Sequence, residues 1–264
     1  MAKLTWDKTG SRLYETGTKN GVLWVMNHKD DSTNMLTYGD GVAWNGLTAV
    51  TESPSGAEET ALYADDVKYL SLRSTEEFGC TIEAYTYPDE FMACDGSEAP
   101  ANGVVIGQQK RATFAFSYIT VVGNDTEGND YGYKIHIIYG CTASPSERAY
   151  ATINDSPEAI TFSWEVTTIP VSVDGFKPTA LITVDSTKLT TNGQKAALGL
   201  LERILYGGDS DTITVPSDYS GVNEVSSLDG ILGDGWKSTA SAQLLMPAQI
   251  IALFANADGT AGAG

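Results

Sequence analysis

Apolar and polar positions alternate along most of this chain with the period of two that marks strands with one buried face. Residues 111–121 put Phe114, Phe116 and Tyr118 on one face, and 131–141 put Tyr131, Tyr133, Ile135, Ile137, Tyr139 and Cys141 on one face. Residues 160–169 group Ile160, Phe162, Trp164 and Val166 in the same way. Strands of this kind pair antiparallel and set aromatic side chains against partners across the sheet. Between the first two lies the stretch Gly123 to Asp130, rich in Asn, Asp and Gly, which reads as a hairpin turn with an acidic tip. Further strands are predicted over 21–27, 67–73, 78–87, 103–107 and 179–185, where Thr, Val, Ile and Tyr suit a pleated surface.

Helical spacing is rarer. Ala197, Leu200, Leu201, Ile204 and Leu205 predict an amphipathic helix over 194–206, with Thr191 and Gln194 as a capping box and Gly207-Gly208 as its stop. Pro88 to Cys94 predicts one or two turns, because proline suits a first turn and Asp89 and Glu90 complement a helix N-terminus. Pro247 to Phe254 adds one or two apolar turns near the end. Two stretches, 39–62 and 207–238, read as long loops, and the tail 255–264 as frayed. With no repeat of 20–50 residues, propellers and solenoids are set aside. The fold class expected is therefore mainly β: an antiparallel sandwich or barrel-like domain with one flanking helix and long loops.

Charge narrows the function. The chain of 264 residues carries 34 Asp+Glu against 16 Lys+Arg, a net charge of −18. Such a surface repels nucleic acid and anionic membranes at ordinary salt. The first residues, Met1 to Lys8, lead into polar sequence, and no apolar run approaches the ~18 residues of a membrane span. The expectation is a soluble, non-secreted chain, long enough to bury roughly three quarters of its unfolded surface without disulfide staples.

Catalytic chemistry finds few candidates. Cys80, Cys94 and Cys141 are too widely spaced for a zinc or redox motif, and His28 and His136 are too few for a three-histidine metal centre. There is no G-x-S-x-G elbow, and Gly230 to Ser238 imitates a P-loop only until Trp236 separates Gly235 from Lys237. The acidic tip lacks the register of a calcium loop. Adjacent acids such as Asp65-Asp66 and Glu76-Glu77 arise by chance among 34. The chain is expected to be no enzyme and to hold no cofactor or metal.

Several blocks taken together point further. They are Trp6 to Gly10, Tyr14 to Gly17, Gly21 to Trp24, Ala43 to Glu58, Tyr63 to Leu70, and Phe78-Gly79 with Thr81 to Phe91. Pro157 to Glu165 through Pro178, and the helix ending Ile204-Leu205-Tyr206-Gly207, continue the series. In order and spacing this resembles the major tail protein, or tail tube protein, of long-tailed bacteriophages infecting Gram-positive bacteria. The likeness covers most of 4–208, which suggests a tail tube domain over 1–208 and a partly irregular C-terminal extension over 209–264.

The resemblance implies a virion protein assembled in the host bacterial cytoplasm. Its copies would form hexameric rings stacked into a hollow tail tube, joined at its ends by other tail proteins, through which DNA passes without specific binding. Head-to-tail contacts that close by rotation, then stack by translation, build such a tube. Six copies at −18 each carry −108, and acids facing the bore would let DNA slide. Asp125, Glu127 and Asp130 are candidates for such lumen or loop acids; acidity that merely keeps the subunit soluble is an equal alternative. The stretch 39–62 is the expected contact between subunits, with Trp44 and Leu47 as anchors and Asn45, Gly46, Pro54 and Gly56 shaping the backbone. Losing the Trp44 indole should then spare the fold and impair assembly. A receptor- or carbohydrate-binding β-sandwich module of a phage tail is the alternative, favoured by the aromatic residues and Asp-rich turns.

Overall fold

The two segments with the longest alternation become adjacent strands at the centre of one sheet. A computed structural model describes residues 4–29, 36–150, 152–153, 159–208, 213–220, 228–233, 236, 238–239 and 241–258. The long β1 (Leu13–Lys29) is followed by β2 (Leu36–Tyr38), β3 (Val42–Trp44) and β4 (Leu47–Glu52). An excursion through β5 (Ser55–Gly56), β6 (Glu59–Ala64), β7 (Val67–Arg73) and β8 (Glu76–Glu77) returns in β9 (Gly79–Ala84). A 3-10 turn at Asp89–Phe91 runs into α1 (Met92–Asp95), then β10 (Glu98–Ala101) and β11 (Val104–Ile106). The central strands β12 (Phe114–Asn124) and β13 (Gly128–Ala143) precede β14 (Phe162–Thr168) and β15 (Leu181–Asp185). Three helices follow: α2 (Asn192–Tyr206), α3 (Asp229–Leu232) and α4 (Pro247–Ala255).

The sheet runs β2–β1–β12–β13–β14–β9–β4, with β3 also on β1 and β15 also on β13; its paired strands are antiparallel. Among the described residues it stays open instead of closing into a barrel. The mainly β, antiparallel architecture matches the alternation in the sequence. The central strands, however, are not half-buried: Phe114 to Tyr118 are all buried. One face sends Ala115, Ile119, Ile135, Ile137 and Tyr139 against α2 and α4. The other gathers Phe114, Phe116, Tyr118, Ile138 and Cys141 with Ile82 and Trp164 from β9 and β14. The sheet curls over its own inner face and takes a helical cover on the outer one.

Local chemistry explains the curl. Strand β1 loses register with β12 between Thr16 and Lys19 and again between Lys19 and Val22, near Gly17 (φ +71°) and Asn20 (φ +54°). Such bulges bend a strand and increase its twist. A second bulge corrects the sequence expectation for Cys141. Phe116 pairs with Ile138 but Phe114 pairs with Cys141, so β13 holds one extra residue at Gly140 (φ +62°). Since the side-chain period is two, that insertion moves Cys141 to the face opposite Tyr139. A Cβ at residue 140 would lie 2.3 Å from the Ile169 carbonyl oxygen, so glycine is required there.

The helix expectations hold in part. Thr191 Oγ1 accepts from Gln194 N at 3.1 Å and Gln194 Oε1 accepts from Thr191 N at 3.4 Å, the capping box the sequence predicts. The turns at 89–95 and 247–255 are present, and the short α3 was not foreseen. Gly230 lies in α3; residues 221–227 before it, and Asp234, Gly235 and Lys237 after it, lie outside the described residues, as does much of the predicted loop 207–238 and the tail beyond 258. Beyond residue 208 the chain supplies Ile213, Tyr219, Leu228, Leu232, Leu245, Ile250 and Leu253 to the same core as the sheet. Tyr139 Oη donates to the Leu245 carbonyl at 2.7 Å and so ties that segment to the central strand.

The stretch 39–62 is not a loop. It holds β3, β4, β5 and most of β6: Asn45-Gly46 is a turn between short strands, and Ser55-Gly56 is itself β5. Trp44 is 3% exposed and packs within its own chain, 4.5 Å from Phe91 and 5.4 Å from Phe116 between ring centroids, with Trp164 at 5.5 Å. Its Nε1 donates to the Thr86 carbonyl at 2.9 Å. An indole spent on its own core has no surface left to anchor a neighbour, and the expectation for Trp44 is corrected accordingly.

A polar network closes one end of the inner face. His136 stacks on Tyr118 at 4.7 Å, and Tyr118 Oη donates to Glu52 Oε1 at 2.6 Å. Thr120 donates to Glu15 Oε1 at 2.5 Å, so its oxygen accepts from His136 Nε2 at 2.9 Å and the ring is left to accept from Thr183 at Nδ1, 3.2 Å away. Lys134 Nζ donates to Glu15 Oε2 at 2.5 Å. Strands β1, β4, β12, β13 and β15 are joined through these side chains. Burial pushes His136 below the ordinary histidine value, against the pull of the Glu52 and Glu15 carboxylates. Burial works to raise Glu15, but the hydrogen bonds from Lys134 and Thr120 outweigh it and hold the carboxyl below its usual range.

Two outcomes follow from this packing. Trp44→Ala should lower the unfolding free energy by about 3–5 kcal/mol in urea denaturation, the range for emptying a buried aromatic site. A depressed histidine pKa means the unfolded chain binds the proton more readily. Stability from His136 is therefore complete above about pH 6.5 and falls as pH drops through the folded value, with Glu15 adding a further loss at lower pH. Thermal melts from pH 8 to pH 5 should show this slope, and His136→Gln should flatten it; an unchanged slope would remove His136 as its origin.

Candidate assembly surface

Among the described residues one long hairpin contributes to neither core. Strands β6 and β7 form a two-stranded ribbon running from Glu59↔Arg73 to Ala64↔Val67, with one register shift between Leu62 and Tyr63, that pairs with no other strand among the described residues. Its turn, Asp65-Asp66, places both residues at positive φ (+50° and +63°), a conformation that Asp tolerates better than most residues in a tight hairpin. Every residue of β7 is exposed, and in β6 all but Ala61 are. Leu62 lies opposite Leu70 and Thr60 opposite Leu72, giving one apolar face, while Tyr63 and Tyr69 are 72% and 71% exposed. The ribbon's ion pair, Lys68 Nζ to Glu59 Oε1 at 2.6 Å, is itself exposed and adds little. An isolated ribbon of this size is marginal in water, and a contiguous exposed apolar patch marks an interaction site.

At the ribbon's root the backbone is tightly built. Strands β5 and β8 pair there, and Gly56 (φ +83°) sits so close that a Cβ would lie 2.2 Å from the Thr75 carbonyl oxygen. Beside the root opens a cleft of about 850 Å³, bounded by Arg73 to Glu76, the segment Pro170–Ile182 and the α4 residues Pro247 and Ile251.

The other sequence candidates lie apart. Asn45 and Gly46 form the exposed turn between β3 and β4, with Gly46 at φ +76°, and Leu47 half-buries itself against the inner core. Pro54 is exposed and Gly56 serves the ribbon root. Asp125, Glu127 and Asp130 sit at the β12–β13 hairpin. There Asn124 Oδ1 accepts from Thr126 N and Glu127 N, and Asp125 Oδ1 accepts from Gly10 N at 2.9 Å, so part of this acidity straps the N-terminal segment down. The exposed apolar residues of this region run from Leu62 to Leu72; the strand over 67–73 is legible in the sequence, and its lack of a covering partner is not.

No grouping of metal-ligating side chains occurs among the described residues. All three cysteines are free and buried, and burial pushes the Cys80 and Cys94 thiols up to about 12, where they are poor nucleophiles. Among the described residues no helix is long and apolar enough to cross a membrane.

No protein-family model matches this chain, and no curated protein does. Among solved structures it is similar to a chain in the cryo-EM structure of the anti-feeding prophage baseplate, 6-fold symmetrised. The two share 9% identity at a TM-score of 0.32, over 70% of this chain and 100% of that one.

Proposed function

We propose that the chain is a structural subunit of a phage tail that self-assembles into hexameric rings stacked as the tail tube, a conduit for genome delivery. The observation that carries this reading is the β6–β7 ribbon. A subunit that worked alone would have no use for six apolar side chains held away from its core, whereas a subunit that works in an array needs such a surface. The sequence blocks over 4–208 that resemble major tail proteins support the same reading. In this role the protein is not an enzyme, takes no cofactor, meets other tail proteins at the tube ends and is carried in the virion.

The net charge of −18 sets conditions on assembly. Like-charged copies repel over about a Debye length, ~8 Å at physiological salt, so short-range contacts must outweigh that repulsion, and association should strengthen as salt screens it. Raising protein concentration and salt should convert monomers to rings or tubes in negative-stain micrographs and sedimentation velocity. The triple variant Leu62→Ser, Leu70→Ser, Leu72→Ser should melt within a few degrees of the native chain and remain monomeric. A native chain that stays monodisperse in every condition, or a triple variant that still assembles, would refute the proposal.

A further inference from the structure

The ribbon and the cleft are complementary but cannot meet within one molecule. Pairing from Glu59/Arg73 to Ala64/Val67, broken by a single register shift between Leu62 and Tyr63, keeps the ribbon extended, so its tip stands about 20 Å from its root at ~3.3 Å per strand residue. The cleft is built at that root. We propose that the tip of the ribbon of one copy seats in the root cleft of a second copy, a contact that rests on the self-assembly reading above and names its acceptor.

The chemistry of the two surfaces fits. The tip carries Asp65 and Asp66, neither held by an ion pair among the described residues, flanked by the exposed Tyr63, Val67 and Tyr69. The cleft is lined by Arg73 and Lys177, also without ion-pair partners among the described residues, together with Phe78 and the exposed Phe176 and Ile251; Glu76 is the opposing charge. In a chain with 18 more acids than bases, two free cations beside an apolar cleft form a local exception that an acidic, aromatic tip can use. Because donor and acceptor are different surfaces of the same molecule, each seated tip leaves another tip and another cleft free. The contact is heterologous and propagates, closing into a ring or continuing as a filament according to its rotation.

Charge reversal tests the pairing. Asp65→Lys/Asp66→Lys and Arg73→Glu/Lys177→Glu change exposed side chains; lysine fits the positive φ of the tip less well than aspartate, a cost confined to the turn that leaves both cores intact, so circular dichroism of each should stay close to that of the native chain. Under conditions where the native chain assembles, each double variant alone should sediment as monomer, and an equimolar mixture of the two should assemble again through alternating copies. Disulfide trapping reads the same contact independently, since the native cysteines are buried. A Val67→Cys copy mixed with a Phe176→Cys copy should give a covalent heterodimer on oxidation. Double variants that assemble like the native chain, a mixture that stays monomeric, or absence of the heterodimer each overturn the docking while native assembly stands. If the native chain itself never associates, docking and self-assembly fall together.

Discussion

Burial of the central strands on both faces is the constraint from which the rest of the architecture follows. β12 and β13 place apolar side chains above and below the sheet, and neither face can be left to water at roughly 25 cal/mol per Å² of apolar surface. Two different solutions cover them. On the outer face α2 and α4 dock with Leu200, Leu201, Ile204, Ile250 and Leu253. On the inner face the sheet folds over itself, bringing β9 and β14 across β12 and filling the gap with interlocking rings from Trp44, Phe91, Phe116 and Trp164.

That double cover draws on the strands of the large sheet and leaves out the ribbon, as it does the short pairs β5–β8 and β10–β11. Strands β1, β3, β4, β9 and β14 each give side chains to the inner cluster, so their apolar residues are already spent. Among the described residues β6 and β7 pair only with each other and reach neither core. The division is sharp in chemical terms: the same residue types, Leu, Val and Tyr, are fully enclosed in one part of the chain and open to solvent in another. Association through the ribbon would bring apolar area out of water without disturbing either core.

Polar groups fix the edges of the design. The Glu15–Thr120–His136–Thr183 chain, with Glu52 bound to Tyr118, holds β1 and β4 to the central strands where apolar packing ends. At the opposite side of the inner core, Asp95 receives Arg148, which also stacks its guanidinium on Tyr87 and Phe162 at 5.6 and 5.5 Å. Charged groups here close the ends of a hydrophobic space instead of forming a reactive centre.

The amino-acid sequence by itself determined the elements. Period-two alternation marked Phe114–Tyr118 and Tyr133–Ile137 as strands, and the Thr191–Gln194 pair marked the start of α2, because these signals depend on neighbours along the chain. It also determined the charge. Tertiary structure alone decided which apolar residues would be hidden. Trp44 and Tyr69 are both large aromatics in short strands, yet one lies between Phe91 and Trp164 and the other in solvent, since burial depends on what arrives from distant segments. The bulge at Gly140, set by the approach of Ile169, likewise turned Cys141 to the other face, and no local pattern announces such an encounter.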